Sequence, residues 1–225
     1  MKKNILFFVF VSFTSIFMGQ LHEIGFSFGG SNYIGDIGST NYVYPNKPAG
    51  ALFYKYNWNP RVALRGTYSL LSISGDDKDA STDYRKDRGL RFSNIINEVA
   101  IGLEYNFYEY DISSSEKKWT PYLLLELVGF KYSGVESYSS TGNVSYEKKT
   151  SIAVPFGIGY KSKLEGNIAF SIEAKFRYTF VDDLDFVSNK MPNISLEGSG
   201  NDWYMFTGFS LIYTFGRPPC FTNGF

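Results

Sequence analysis

The sequence predicts an all-β fold: an eight-stranded antiparallel transmembrane β-barrel with a plugged polar lumen, long extracellular loops, short periplasmic turns and a C-terminal periplasmic tail. Three observations predict it. Eight long segments alternate apolar and polar residues with a period of two, as in Ile168–Phe180, where Ile168, Phe170, Ile172, Ala174, Phe176, Tyr178 and Phe180 share one face. The connections between those segments alternate long and short. Aromatic residues make up 19% of the chain and gather on the apolar face, which carries Phe and Tyr where a soluble core would use smaller aliphatics.

The first 20 residues read as a leader. Lys2 and Lys3 form a positive start, Ile5 to Met18 is apolar and too short for a good membrane helix, and Gly19 and Gln20 close it. Three parts are expected: a signal peptide at 1–20, a barrel at 21–215 and a periplasmic tail at 216–225. Basic and acidic residues balance at 22 each, and without Lys2 and Lys3 the mature charge is about −2. No basic face points to nucleic acid.

The expected strands follow in order. The first runs near His22 to Gly29, with Ile24, Phe26 and Phe28 opposed to Gly25 and Ser27. The second, Ala49–Trp58, sets Leu52, Tyr54, Tyr56 and Trp58 against Phe53, Lys55 and Asn57. The third, Arg61–Ile73, sets Val62, Leu64, Tyr68 and Leu70 against Arg65, Thr67 and Ser69. The fourth, Ile96–Phe107, opposes Val99, Ile101 and Leu103 to Glu98, Ala100 and Glu104. The fifth, Trp119–Lys131, opposes Leu123, Leu125 and Leu127 to Tyr122, Leu124 and Glu126. The sixth, Thr150–Lys161, opposes Ile152, Val154, Phe156, Ile158 and Tyr160 to Ala153, Gly157, Gly159 and Lys161. The seventh is Ile168–Phe180, and the eighth, Trp203–Phe215, opposes Phe209, Leu211, Tyr213 and Phe215 to Gly208, Ser210 and Thr214.

Each segment spans about 10 to 13 residues, enough to cross a bilayer at a tilt and longer than a usual globular strand. The gaps run about 19, 2, 22, 11, 18, 6 and 22 residues. Short turns then face the periplasm, long loops face outward, and both termini are periplasmic. The large apolar face meets lipid, and a closed ring satisfies every backbone polar group. The inward face carries Lys55, Arg65, Glu98, Glu104, Glu126, Lys161, Glu173, Lys175 and Arg177. In an eight-stranded bore these must pair into a plug, because an unpaired buried charge costs several kcal/mol. Trp58 and Trp119 fall at the periplasmic strand ends, near Tyr108 and Tyr110, and Trp203 at an outer end, as interfacial aromatics do. The rival fold is a small soluble barrel of lipocalin type, apolar inside and polar outside.

Catalysis finds little support. The one histidine, His22, falls at a frayed N-terminal end, away from any acid and nucleophile it could join. One His and one Cys cannot make a zinc site. No cofactor and no metal are expected. The loop Gly75–Arg91 mixes five aspartates with five bases and reads as a solvated loop or a salt-bridged cap. The VDDLD stretch, Val181–Asp185, has oxygen ligands without diagnostic calcium spacing. The loop Gly29–Gly50, rich in Gly, Asn and Tyr, either folds over the barrel mouth or meets a partner. After Phe215 the chain reads GRPPCFTNGF. Pro218 and Pro219 impose an extended path. Arg217, Pro218, Pro219, Cys220 and Phe221 are the candidate partner contact, with Cys220 a lone thiol in an oxidising compartment.

The leader, the stretch LHEIGFSFGGSNYIGDIGSTNYVYPNKPAGALFYKYNWNPRVALRGTY, then FSNIINEVAIGLEYNF and the ending YTFGRPPC resemble the PorG family, the small outer-membrane barrel of the type IX secretion system of Bacteroidetes. The resemblance implies a structural, non-enzymatic role beside a periplasmic ring built by a lipoprotein, PorK, and its partner PorN. It carries no catalytic residues. It implies that the tail docks on the ring, that Cys220 bonds to a ring cysteine, and that the turns Asn57–Arg61 and Ser162–Asn167 are secondary contacts. The competing readings are a surface adhesin acting through its outer loops and a barrel enzyme acting on lipid.

Overall fold

The computed structural model describes residues 22–39, 41–111, 117–138, 144–187 and 200–216. The leader and the tail positions Arg217, Pro218, Pro219, Cys220 and Phe221 lie outside the described residues. Eight strands form one closed antiparallel barrel in sequence order: β1 (His22–Ile34), β2 (Lys47–Asn59), β3 (Val62–Asp76), β4 (Arg91–Asn106), β5 (Trp119–Tyr138), β6 (Val144–Glu165), β7 (Ile168–Thr179) and β8 (Trp203–Phe215). The ring closes between β1 and β8, in register from His22 opposite Phe215 to Ile34 opposite Trp203. Closure leaves no unpaired edge. His22 is therefore held, not frayed: it pairs with both neighbouring strands, its Nδ1 lies 2.6 Å from the Tyr54 hydroxyl, and its ring stacks on Phe215.

The alternation resolves into an inside and an outside. Phe28, Leu125, Ile158 and Leu211 are 60–65% exposed, whereas Lys55, Arg65 and Lys161 are 0% exposed. That is the inverse of a soluble barrel and excludes the lipocalin-type arrangement. A continuous apolar exterior of this kind belongs in a bilayer. The ladder is interrupted where Pro155 of β6 faces β5, because proline has no N–H to donate, and pairing resumes at Val128 opposite Ala153.

The short turns sit together at one end. Pro60 and Arg61 join β2 to β3, and Asn59 Oδ1 accepts from the N–H groups of Arg61 and Val62, both at 2.8 Å. Gly166, at φ +54°, turns β6 into β7. The opposite end differs from expectation: β1, β3 and β4 run further there, to Ile34, to Asp76 and from Arg91. An 18-residue loop was expected between the fifth and sixth strands, but the ladder continues past Lys131–Thr150 to Tyr138–Val144, leaving five residues between strands. The apolar alternation fades there because neither face of the hairpin meets lipid, while the backbone pairing persists. Between β3 and β4 lie a 3₁₀ turn, Asp77–Asp79, and a short helix, α1 (Asp83–Arg88), which the sequence pattern did not announce.

Candidate functional site

The barrel interior is filled in two layers. The lower layer is ionic. Lys55 lies 2.8 Å from Glu104 and 3.4 Å from Glu23, and Lys161 lies 2.6 Å from Glu104. The Arg65 guanidinium forks onto Glu173 at 2.8 and 3.1 Å and reaches Glu104 at 3.5 Å. Lys175 bridges Glu126 and Glu173, each at 3.5 Å, and Arg177 grips Glu98 at 2.6 Å. Tyr122 donates to Glu173 and Tyr204 to Glu98, both at 2.9 Å, and Thr67 donates to Glu126 at 2.8 Å. The structure thus pairs all nine sequence-predicted lumen charges, seven in one ionic network and Arg177–Glu98 beside it, joined to it by the hydrogen bond from Arg177 to the Lys175 carbonyl. Glu23 completes the set to five cations and five carboxylates, a member visible in the sequence as the position two before Gly25 on the same inward face. Such pairs are stable in a low-dielectric bore when further hydrogen bonds support them, as Tyr122, Tyr204 and Thr67 do here; among the described residues Glu23 Oε2 alone of the network's carboxylate oxygens has only its 3.4 Å ion pair with Lys55.

Glycines make the room. A Cβ on Gly159 would lie 2.2 Å from the Tyr122 ring, and one on Gly25 would lie 2.2 Å from Phe53. Phe53 in turn sits 4.0 Å from the Arg65 guanidinium of the neighbouring strand, a cation–π contact on the inward face. Tyr110, expected in the interfacial belt, is instead 3% exposed and lies under Lys161 at 4.7 Å, flooring the lumen. Its chain is drawn inward by the hydrogen bond from its N–H to the Pro60 carbonyl.

The upper layer is apolar. Ile37, Leu71, Ile73, Phe92, Ile96, Val128, Phe130, Leu184 and Phe206 pack into a buried cluster that closes the bore above the ions. Over it lies a cap made from three connections. Asp77 accepts from Gly38 N–H at 3.0 Å, Leu90 N–H at 2.9 Å and Arg88 Nε at 2.8 Å. Arg85 donates to the Gly35 and Gly38 carbonyls at 3.2 Å. Burial works against the Asp77 charge, but the Arg88 and backbone hydrogen bonds prevail and hold its carboxyl below the ordinary range. The Gly75–Arg91 loop is thus a salt-bridged cap. From the last loop, Phe186 enters at φ +66° and packs edge-on against Phe92 and Tyr146. The side chains of Asp185 and Asp202 meet at Tyr33, whose hydroxyl lies 3.0 and 2.5 Å from them.

The aromatics at the strand ends take two forms. Trp58 and Trp119 are exposed, Trp119 packing on Tyr108 and stacking on Tyr160. Trp203 is half-buried against Tyr178 and Phe156. Among the described residues no group of three or more His, Cys, Asp or Glu could hold a metal ion.

Chains of similar structure include Neisserial surface protein A (13% identity, 88% of this chain and 97% of that one, TM-score 0.49). Others are the attachment invasion locus protein Ail of Yersinia pestis in complex with the heparin analogue sucrose octasulfate (17%, 88% and 100%, TM-score 0.46) and the N-terminal barrel domain of Pseudomonas aeruginosa OprF (14%, 88% and 98%, TM-score 0.44). The fold itself rests on the closed strand ladder. No curated protein matches the sequence. A family model, described as a domain of unknown function (DUF6089), matches residues 2–224, and the chain belongs to that family.

Proposed function

We propose that this chain is a non-enzymatic, non-conducting structural barrel of the outer membrane that anchors or adapts the periplasmic ring of a type IX protein secretion system. The observation that carries the reading is the filled lumen: among the described residues ten paired charges below and an apolar plug above fill the bore, so the barrel acts through its ends. The sequence resemblance to the PorG family supplies the partner class, a PorK-like ring lipoprotein with its PorN-like companion. In this reading both termini are periplasmic, and Arg217–Phe221 reaches the ring from the end that carries the short turns, with Cys220 available for a disulfide. Trp58 and Trp119 mark the periplasmic lipid interface and Trp203 the outer one.

A second reading, a surface adhesin, is favoured by one feature. The β1–β2 loop exposes Tyr42, Val43 and Tyr44, and the β5–β6 hairpin exposes Tyr146. The two readings separate by paired variants in the producing cell. Ending the chain after Phe215 should stop export of secreted cargo and lose the ring lipoprotein on mild-detergent purification, while replacing residues 76–88 by a short Gly/Ser linker should leave export intact. The opposite pattern would favour the adhesin. An altered lipid A in a deletion strain would instead point to a lipid-modifying enzyme.

A further inference from the structure

We infer that the cap is latched by one carboxyl proton held where Asp185 and Asp202 meet the Tyr33 hydroxyl, and that loss of this proton at alkaline pH releases residues 182–187 from the barrel mouth. The argument is a count of hydrogens. The Tyr33 hydroxyl lies 3.0 Å from Asp185 Oδ2 and 2.5 Å from Asp202 Oδ1, and all three residues are buried. A hydroxyl carries one hydrogen and can satisfy one carboxylate. The second oxygen-to-oxygen contact needs a hydrogen of its own, and only a protonated carboxyl can supply it. The tyrosine oxygen also accepts from the Asp36 N–H at 3.2 Å, so it donates once and accepts twice, which uses its full capacity.

The charged neighbours do not relieve this demand. On the β7–β8 loop, Asp182 adds negative charge, while Asp183 is held by Lys149 of β6 at 2.7 Å and by Tyr132 of β5 at 2.6 Å. On the β1–β2 loop, Asp36 adds another carboxylate. From α1, Arg88 is taken by Asp77 and the Asp36 carbonyl, and Arg85 by the Gly35 and Gly38 carbonyls. β4 contributes Phe92 and the neutral Asn94, which donates to the Leu184 carbonyl. Among the described residues no Lys or Arg pairs with Asp185 or Asp202. Their other oxygens accept backbone N–H groups, Asp185 from Val187 and Asp202 from Leu184, both at 2.9 Å. The latch therefore fixes the loop at two points and ties it to β1. Gly35 leaves the space for it, since a Cβ there would lie 2.1 Å from the Tyr33 hydroxyl.

Burial, joined for Asp202 by the charge of Asp185, pushes Asp202 up to about 8, and burial pushes Asp185 up to about 6. Between these values the closed cap holds one more proton than an open loop. Cap opening must then grow about tenfold per pH unit from pH 6 to pH 8 and level off above.

The test is hydrogen exchange at the Leu184 and Val187 amides of the full chain in lipid nanodiscs from pH 6 to 10, corrected for intrinsic base catalysis, with a carbon-13 titration of the aspartate carboxyls. Wild type should show the tenfold-per-unit loss of protection and one carboxyl titrating near pH 8. Asp202→Asn, which carries a permanent amide donor, should keep protection flat and lose that titration. Tyr33→Phe, which keeps the ring on Phe92, should expose both amides at every pH. Two carboxyls titrating below pH 5, or identical slopes in wild type and Asp202→Asn, would overturn the proposal.

Discussion

Two parts of the cap bury aspartates, and they solve the problem in opposite ways. On the β3–β4 connection Asp77 keeps its charge, because Arg88 and two backbone N–H groups converge on it. On the β7–β8 connection Asp185 and Asp202 meet a tyrosine with no cation, and burial pushes both toward the neutral form. Depth alone does not set the charge of a buried carboxyl; the partner does. The signs of the pH dependence follow. Asp77 has a lowered folded value, so its clamp is at full strength above the ordinary carboxylate range and is lost as pH falls through that lowered value. Asp202 has a folded value raised to about 8, so its latch is at full strength in acid and is lost as pH rises toward 8. The cap is tightest between the two.

The ionic lumen is the Asp77 solution repeated, and breaking it should give the largest effect. Arg65→Met leaves Glu173 without its forked partner and should cost about 3–5 kcal/mol in urea unfolding followed by gel mobility of the folded barrel. Adding Glu173→Gln should return much of the loss, because the stranded charge is then gone. Arg88→Ala comes next, at about 2–3 kcal/mol, and should appear as faster exchange of the Leu90 amide and as loss of the clamp's acid sensitivity. Gly89→Ala should cost about 1 kcal/mol, since Gly89 ends α1 at φ +65°, and circular dichroism melting would detect it. Smallest is Asp202→Asn at pH 6, within about 0.5 kcal/mol of wild type by the same melting, becoming steadily the more stable form as pH rises from 6 to 8.

Much of this was legible in the sequence. Period two wrote the strands, and every lumen charge could be assigned a side by parity, because lipid demands an apolar exterior without exception. Glu23 was readable by the same rule. Legibility ends where lipid ends. Beyond the apolar band, Ser133, Lys148 and Tyr146 follow no inside–outside rule, so the outward part of the β5–β6 ladder went unseen although it pairs on to Tyr138–Val144 with one register shift between Val135 and Ser137. Pairings set by three-dimensional convergence were equally hidden. Tyr33 and Asp202 stand 169 residues apart, and nothing in the composition of either loop marks that contact. Tyr110 misled for a related reason: an aromatic beside a turn can face lipid or fold under the barrel, and the sequence is the same in both.

The central claim is that the barrel is solid. Reconstituting the folded chain into planar bilayers and recording current measures it most directly. The filled lumen predicts no steady conductance between pH 6 and pH 7, where ion network, apolar plug and cap are all closed. A stable, reproducible ionic conductance in that range would contradict the account and reopen the lumen as a path.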